Sequence, residues 1–190
     1  MLPYLYYLID ILWIIFWMYW LVSSLGAKKS IQGKNWVYSV IIRLIFAVII
    51  IILMQSLHFR NVLKSHYIGF ENPFIMIIGT IIIILSLAFA VWARVYLGKN
   101  WGIPMSQREN PELVTLGPYT YVRHPIYTGI LFALLGTGIA IGNIWFVVFV
   151  FAAFYFIFAA IQEEKLMVHL FPDQYPAYMK QTKMLVPFVF

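Results

Sequence analysis

Of the chain's 190 residues, 63% are hydrophobic and 11% charged, whereas a soluble domain is about half apolar and a quarter charged. Such a chain cannot cover itself with polar surface, which excludes a soluble globular protein. The formal charge of +6 sits on lysines and arginines that flank apolar blocks, not on a basic stripe interleaved with aromatics, and this argues against nucleic-acid binding. Cysteine is absent, so a disulfide framework, a thiol nucleophile and a cysteine metal site are excluded as well.

A helix crosses a bilayer core of about 30 Å with about 20 apolar residues. The first such block, residues 2–25, holds one charge, Asp10, and lacks a basic leader region and a small-residue cleavage site, so it is expected to be a retained span. Residues 37–57 form a second candidate, with Arg43 as its one charge. Residues 73–97 form a third, rich in isoleucine and leucine and closing at Arg94. Residues 126–161 carry no charge over 36 positions, too many for one crossing. Gly142-Asn143 supplies a break, since both residues tolerate the left-handed backbone that stops a helix, which predicts a hairpin of helices 126–141 and 144–161. Gly129, Ala133, Gly136 and Ala140 fall on one face of the first arm. Ala152, Ala153, Ala159 and Ala160 put small residues on the second, as expected for closely packed membrane helices.

The expected fold is therefore all-α: one polytopic membrane domain, residues 1–190, with five transmembrane helices and its last two forming a hairpin. Ten lysines and arginines fall on the connector after the first block, on the long connector and in the tail, against Arg60 and Lys64 on the other side. The positive-inside rule then places segments 98–125 and 162–190 in the cytoplasm.

Polar chemistry gathers on that side. The hairpin brings its two ends together, so Gln107, Arg108, Arg123, His124, Tyr127, Glu163 and Glu164 can converge although far apart in sequence. Singly, several have ordinary structural readings: Pro125 suits the first turn of a helix, and Arg and Tyr are common interface anchors. Glu163-Glu164 is less ordinary. Two adjacent carboxylates at the mouth of a membrane helix repel each other, and a cation, either Arg123 or a ligand, is expected to hold them.

Four stretches in series carry a resemblance: Leu97-Gly98-Lys99-Asn100-Trp101, Leu113 to Tyr119, Arg123-His124-Pro125-Ile126-Tyr127, and Glu163-Glu164 with Phe171-Pro172-Asp173-Gln174-Tyr175. In order and spacing, residues 90–187 resemble the isoprenylcysteine carboxyl methyltransferase family. Related phospholipid N-methyltransferases share the R-H-P-x-Y and E-E elements, and some membrane sterol reductases are similar over the C-terminal part. The resemblance implies an integral-membrane methyltransferase that uses S-adenosylmethionine and acts on a lipophilic substrate, such as a prenylcysteine-like carboxylate, entering from the bilayer. No G-x-G-x-x-G follows a strand-like run, so the cofactor site would be built from the connector and the hairpin.

Carried over by position, the cofactor contacts implied by the resemblance fall on Gln107 (or Ser106), Leu113, Val114, Tyr119, His124, Pro125, Tyr127, Glu163 and Glu164. Arg123, His124, Tyr127 and Glu163 form the implied catalytic group, with Arg123 expected on the cofactor carboxylate and His124 or a glutamate as the base if the acceptor must lose a proton. No metal is implied. One departure bears on the acceptor: the family's substrate arginine, one turn before the first matching glutamate, is here Ala159. That raises the standing of a phospholipid or other lipid amine or hydroxyl acceptor. Nicotinamide-dependent reduction of a lipid, and a non-enzymatic transporter or assembly factor, are the competing readings.

Of the remaining polar residues, Asp10 and Arg43 are intramembrane charges and functional candidates on that ground. His58 and His66 lack metal-ligand spacing, and His169 with Asp173 is read as a solvated pair one turn apart. The aromatic content, 19%, is expected to serve lipid-facing and interfacial packing.

Overall fold

The computed structural model describes residues 2–25, 72–102 and 109–187. The expected second span, residues 37–57, lies outside them, as do Arg43, His58, His66, Ser106, Gln107 and Arg108. Helix α1 runs Leu2–Ser24, α2 Pro73–Leu97, α3 Pro125–Ile141, α4 Asn143–Leu170 and α5 Gln174–Gln181. Among the described residues no strand forms beyond an isolated bridge between Val122 and Lys183. This is a helical integral-membrane protein: Tyr4–Ser24, Pro73–Asn100 and Ile144–Leu170 are long and apolar enough to cross a bilayer, and Pro125–Ile141 is a shorter apolar helix.

Each boundary has a local cause. The Asn72 side chain accepts a hydrogen bond from the Phe74 amide at 2.9 Å, and Pro73 takes a first-turn position whose missing N–H costs nothing. The hairpin break falls where the sequence predicts it, at Gly142, whose φ of 127° suits a residue without a Cβ. Helix α4 is longer than its apolar block. Its 28 residues span about 42 Å at 1.5 Å per residue, so its last turns, which carry Glu163 and Glu164, continue past the hydrocarbon core as helix instead of starting a tail.

The small-residue face of α3 packs against α2, not against the returning helix of its own hairpin. A Cβ on Gly79 of α2 would stand 2.6 Å from the Gly136 carbonyl oxygen, and one on Gly129 would stand 2.7 Å from the Ala90 Cβ. The reason is matching: α2 offers its own small residues at that level. Helix α4 instead meets α3 with rings, Phe146 lying over Gly138 and Phe156 stacking on Tyr127 at 4.6 Å. Helix α1 is tied to α3 by a bond from Trp13 Nε1 to Thr137 Oγ1 of 3.1 Å. Asp10 is exposed on α1. His169 closes α4 while Asp173 precedes α5, so a turn between two helices separates the pair that the sequence places one helical turn apart.

Candidate active site

The connector before α3 is pinned by the segment after α5. The Arg123 amide donates to the Lys183 carbonyl at 2.8 Å and the His124 amide to the Met184 carbonyl at 3.1 Å. Thr128 Oγ1 reaches the Leu185 carbonyl at 2.7 Å, and the Tyr178 hydroxyl donates to the Tyr119 carbonyl at 2.6 Å. Gly117, at φ +63°, lets the connector turn directly under the Tyr96 ring, where a Cβ would come within 2.5 Å.

Both arms of the hairpin then meet in a chain of charged groups. Arg123 Nε donates to Glu164 Oε1 at 2.6 Å, and Arg123 Nη1 donates to the Thr182 and Met179 carbonyls. The His124 ring lies between the two glutamates, with Nδ1 3.5 Å from Glu163 Oε2. Its Nε2 is 3.4 Å from Glu164 Oε1, within ion-pair range although not aligned as a hydrogen bond. Tyr127 closes the chain by donating its hydroxyl to Glu163 Oε1 at 2.6 Å. The rings of His124 and Tyr127 are stacked, 5.4 Å apart and 6° from parallel.

Burial opposes charge on His124, but its close contacts with Glu163 and Glu164 and the charge of both carboxylates outweigh it and raise the pKa above the ordinary histidine value. The shift favours the protonated imidazole over the free base. Burial likewise raises the Tyr119 hydroxyl, which stays a neutral donor and acceptor.

These groups border one cavity of about 380 Å³. Of the residues singled out from sequence, Leu113, Val114, Tyr119 and Pro125 line it, together with Arg123, His124, Tyr127 and Glu163. Glu164 does not: it stands behind the wall as the partner of Arg123, both side chains being nearly buried. Arg123, expected on a cofactor carboxylate, is paired here with Glu164 through Nε and with two backbone carbonyls through Nη1. Gln107 lies outside the described residues. Ala159 is fully buried, so no cation stands one turn before Glu163, and Lys165 is exposed on the outer face of α4.

The sequence reading missed the aromatic share of the site. Trp17 and Trp20 of α1, Trp101, Tyr155, Phe156 and Tyr175 all line the cavity, whereas aromatic content is expected to serve lipid-facing packing. Helical spacing from Glu163 would have found part of this: Phe156, Leu166, Met167 and Leu170 stand seven before and three, four and seven after it on one stripe. Nothing in the sequence points to the α1 tryptophans, which reach the site only through tertiary packing.

The phospholipid methyltransferase family model matches residues 74–174, more than half of the chain. The chain belongs to that family. It is 27% identical over 123 residues to the protein-S-isoprenylcysteine O-methyltransferase of Xenopus laevis, covering 63% of this chain and 43% of that protein. It is 25% identical over 146 residues to the cobalt-zinc-cadmium resistance protein CzcN of Cupriavidus metallidurans, covering 75% of this chain and 62% of the relative. The chain thus spans about half the length of the curated relatives it matches. Its fold is similar to that of a eukaryotic intramembrane Ras methyltransferase, isoprenylcysteine carboxyl methyltransferase, with a TM-score of 0.55 at 23% identity, covering 84% of this chain and 55% of that one.

Proposed function

We propose that this protein is a five-span membrane methyltransferase that uses S-adenosylmethionine, with its site at the cytoplasmic face, and transfers a methyl group to a lipophilic acceptor reached from the bilayer. The observation that carries this reading is the Tyr127–Glu163 bond, which brings the R-H-P-x-Y and E-E elements to one cavity.

The donor set suits the cofactor. Leu113, Val114 and Pro125 offer an apolar slot for adenine. Glu163, whose side chain is 25% exposed, can accept hydrogen bonds from an ammonium group. Tyr119 and Tyr127 offer ring faces of the kind that attract a sulfonium, worth about 0.5–2 kcal/mol. The cofactor supplies an electrophilic methyl group when bound; what the protein adds is alignment, which in well-oriented reactions is worth about 7–11 kcal/mol.

The acceptor could be a prenylcysteine-like carboxylate, already ionised at neutral pH and needing no base. A specific observation favours a second reading, a lipid amine or hydroxyl: Ala159 offers no cation, Arg123 is paired with Glu164, and the carboxylates of Glu112 and Glu163 line the cavity. For such an acceptor Glu163 is the carboxylate available to take the proton.

The deciding experiment is calorimetric titration of detergent-purified protein with S-adenosylhomocysteine, in the parent and in Glu163→Ala. Binding by the parent and its loss in the variant are expected; a parent that binds nothing removes the proposal. Incubation with methyl-labelled cofactor and total lipid extract then separates acceptors, since an ester label is base-labile and an amine or ether label is not.

A further inference from the structure

Arg94 has no part in the chemistry above, yet it is only 4% exposed. Its Nη2 donates to the Ser23 carbonyl at the end of α1, 2.5 Å away, and its Nη1 to the Gly98 carbonyl just after α2, 2.7 Å away. Its Cζ lies 4.8 Å from the centre of the Trp101 ring, and Trp101 meets Trp20 of α1 edge-on at 5.8 Å. A cation at two helix C-termini is favoured by both dipoles. A planar guanidinium can also hold two carbonyls while stacking on an indole, which an ammonium cannot. Arg94 thus fixes α1 against α2 at the level of the cavity.

Trp17, Trp20 and Trp101 line the same cavity as Tyr127 and Glu163, and they offer apolar area with a single N–H donor each. The α1 pair lies outside the family match, which begins at Phe74. The part of the cavity inside the family match comes from the connector and hairpin, while α1 supplies a further wall. We propose that these three tryptophans form the wall that selects the hydrocarbon part of the acceptor, and that Arg94 is the positioning residue that holds the wall in place. The inference rests on the methyltransferase reading, which gives the polar end of the cavity to the cofactor, and the indole wall, continuous with that end, is left for the acceptor's chain.

The test uses the full chain in phosphatidylcholine vesicles with palmitic acid carrying a terminal diazirine, the cross-links being mapped by mass spectrometry. Saturable labelling at Trp17, Trp20 and Trp101, competed by unlabelled palmitate, is expected. Trp20→Ala and Arg94→Gln should lower it about tenfold, with Trp20→Phe and Arg94→Lys intermediate, as loss of one buried ring contact predicts. Affinity for S-adenosylhomocysteine should stay within about twofold of the parent in all four, since none touches the polar end. Labelling that is not competed, or that is unchanged in the variants, overturns the wall. A parallel fall in cofactor affinity overturns the positioning role, because Arg94 would then support the fold at large. Glu163→Ala should lose S-adenosylhomocysteine binding and keep the label. A parent that labels saturably at the wall yet binds no S-adenosylhomocysteine supports the apolar subsite and removes the methyltransferase reading.

Discussion

The Tyr127 hydroxyl donates to Glu163 Oε1 at 2.6 Å across 36 residues of sequence. The bond orients a carboxylate that would otherwise swing at the cavity edge, leaving its second oxygen toward His124. A hydrogen bond to a charged acceptor contributes about 1.5–3 kcal/mol, so Tyr127→Phe should weaken S-adenosylhomocysteine affinity about tenfold or more while leaving the ring stack in place. Calorimetry reads this directly. Affinity equal to the parent would show that Glu163 needs no such orientation.

Arg123 and Glu164 form an ion pair whose side chains are 8% and 9% exposed. Removing one member of a buried pair costs about 3–5 kcal/mol, whereas replacing both with apolar groups costs less. Glu164→Leu alone should therefore lower the thermal midpoint more than Glu164→Leu combined with Arg123→Met. Glu164 stands behind the cavity wall, so in the milder Glu164→Gln the affinity for S-adenosylhomocysteine per folded molecule should change by less than about threefold. A loss as deep as that of Glu163→Ala would restore Glu164 as a direct cofactor contact.

His124 gives a pH dependence with a definite sign. Its folded pKa lies above the unfolded value of 6.5: burial opposes the charge, but the close contacts and charges of Glu163 and Glu164 outweigh it. The stability it contributes is fully present below about pH 6.5 and is lost as pH rises through the raised folded value. The difference in thermal midpoint between the parent and His124→Asn should accordingly shrink with rising pH above about 6.5. A difference that grows over that interval would mean the ring is held neutral, the state a base needs.

Much of the architecture was legible because membrane helices are declared by length and polarity alone. The limits of α2 followed from its apolar run over residues 73–97, and the hairpin break from Gly142-Asn143. Motif order singled out residues of which Leu113, Val114, Tyr119, Arg123, His124, Pro125, Tyr127 and Glu163 line one cavity, while Glu164 stands behind its wall. What sequence could not supply was partnership. The small face of α3 looks equally suited to either neighbour, and only the matching Gly79 and Ala90 on α2 decide between them. Glu163 and Glu164, adjacent in sequence, point to different partners because consecutive helical positions differ in direction by about 100°, so one faces the cavity and the other faces Arg123.

The α2–α3 contact makes the sharpest stability prediction. A Cβ at Gly79 would stand 2.6 Å from the Gly136 carbonyl oxygen and 2.7 Å from the Ala140 amide nitrogen, both backbone atoms that cannot rotate away. At Gly138 the nearest obstacle is the Phe146 ring at 3.0 Å, a side chain able to yield. Overpacking a tight interface costs about 1–3 kcal/mol, so Gly79→Ala should lower the thermal midpoint in detergent clearly more than Gly138→Ala, although the chemical change is the same. Because α3 carries Tyr127 at its start, the separation forced by Gly79→Ala should also weaken S-adenosylhomocysteine binding. Equal midpoints for the two variants would show that the helices are not in backbone contact at this level.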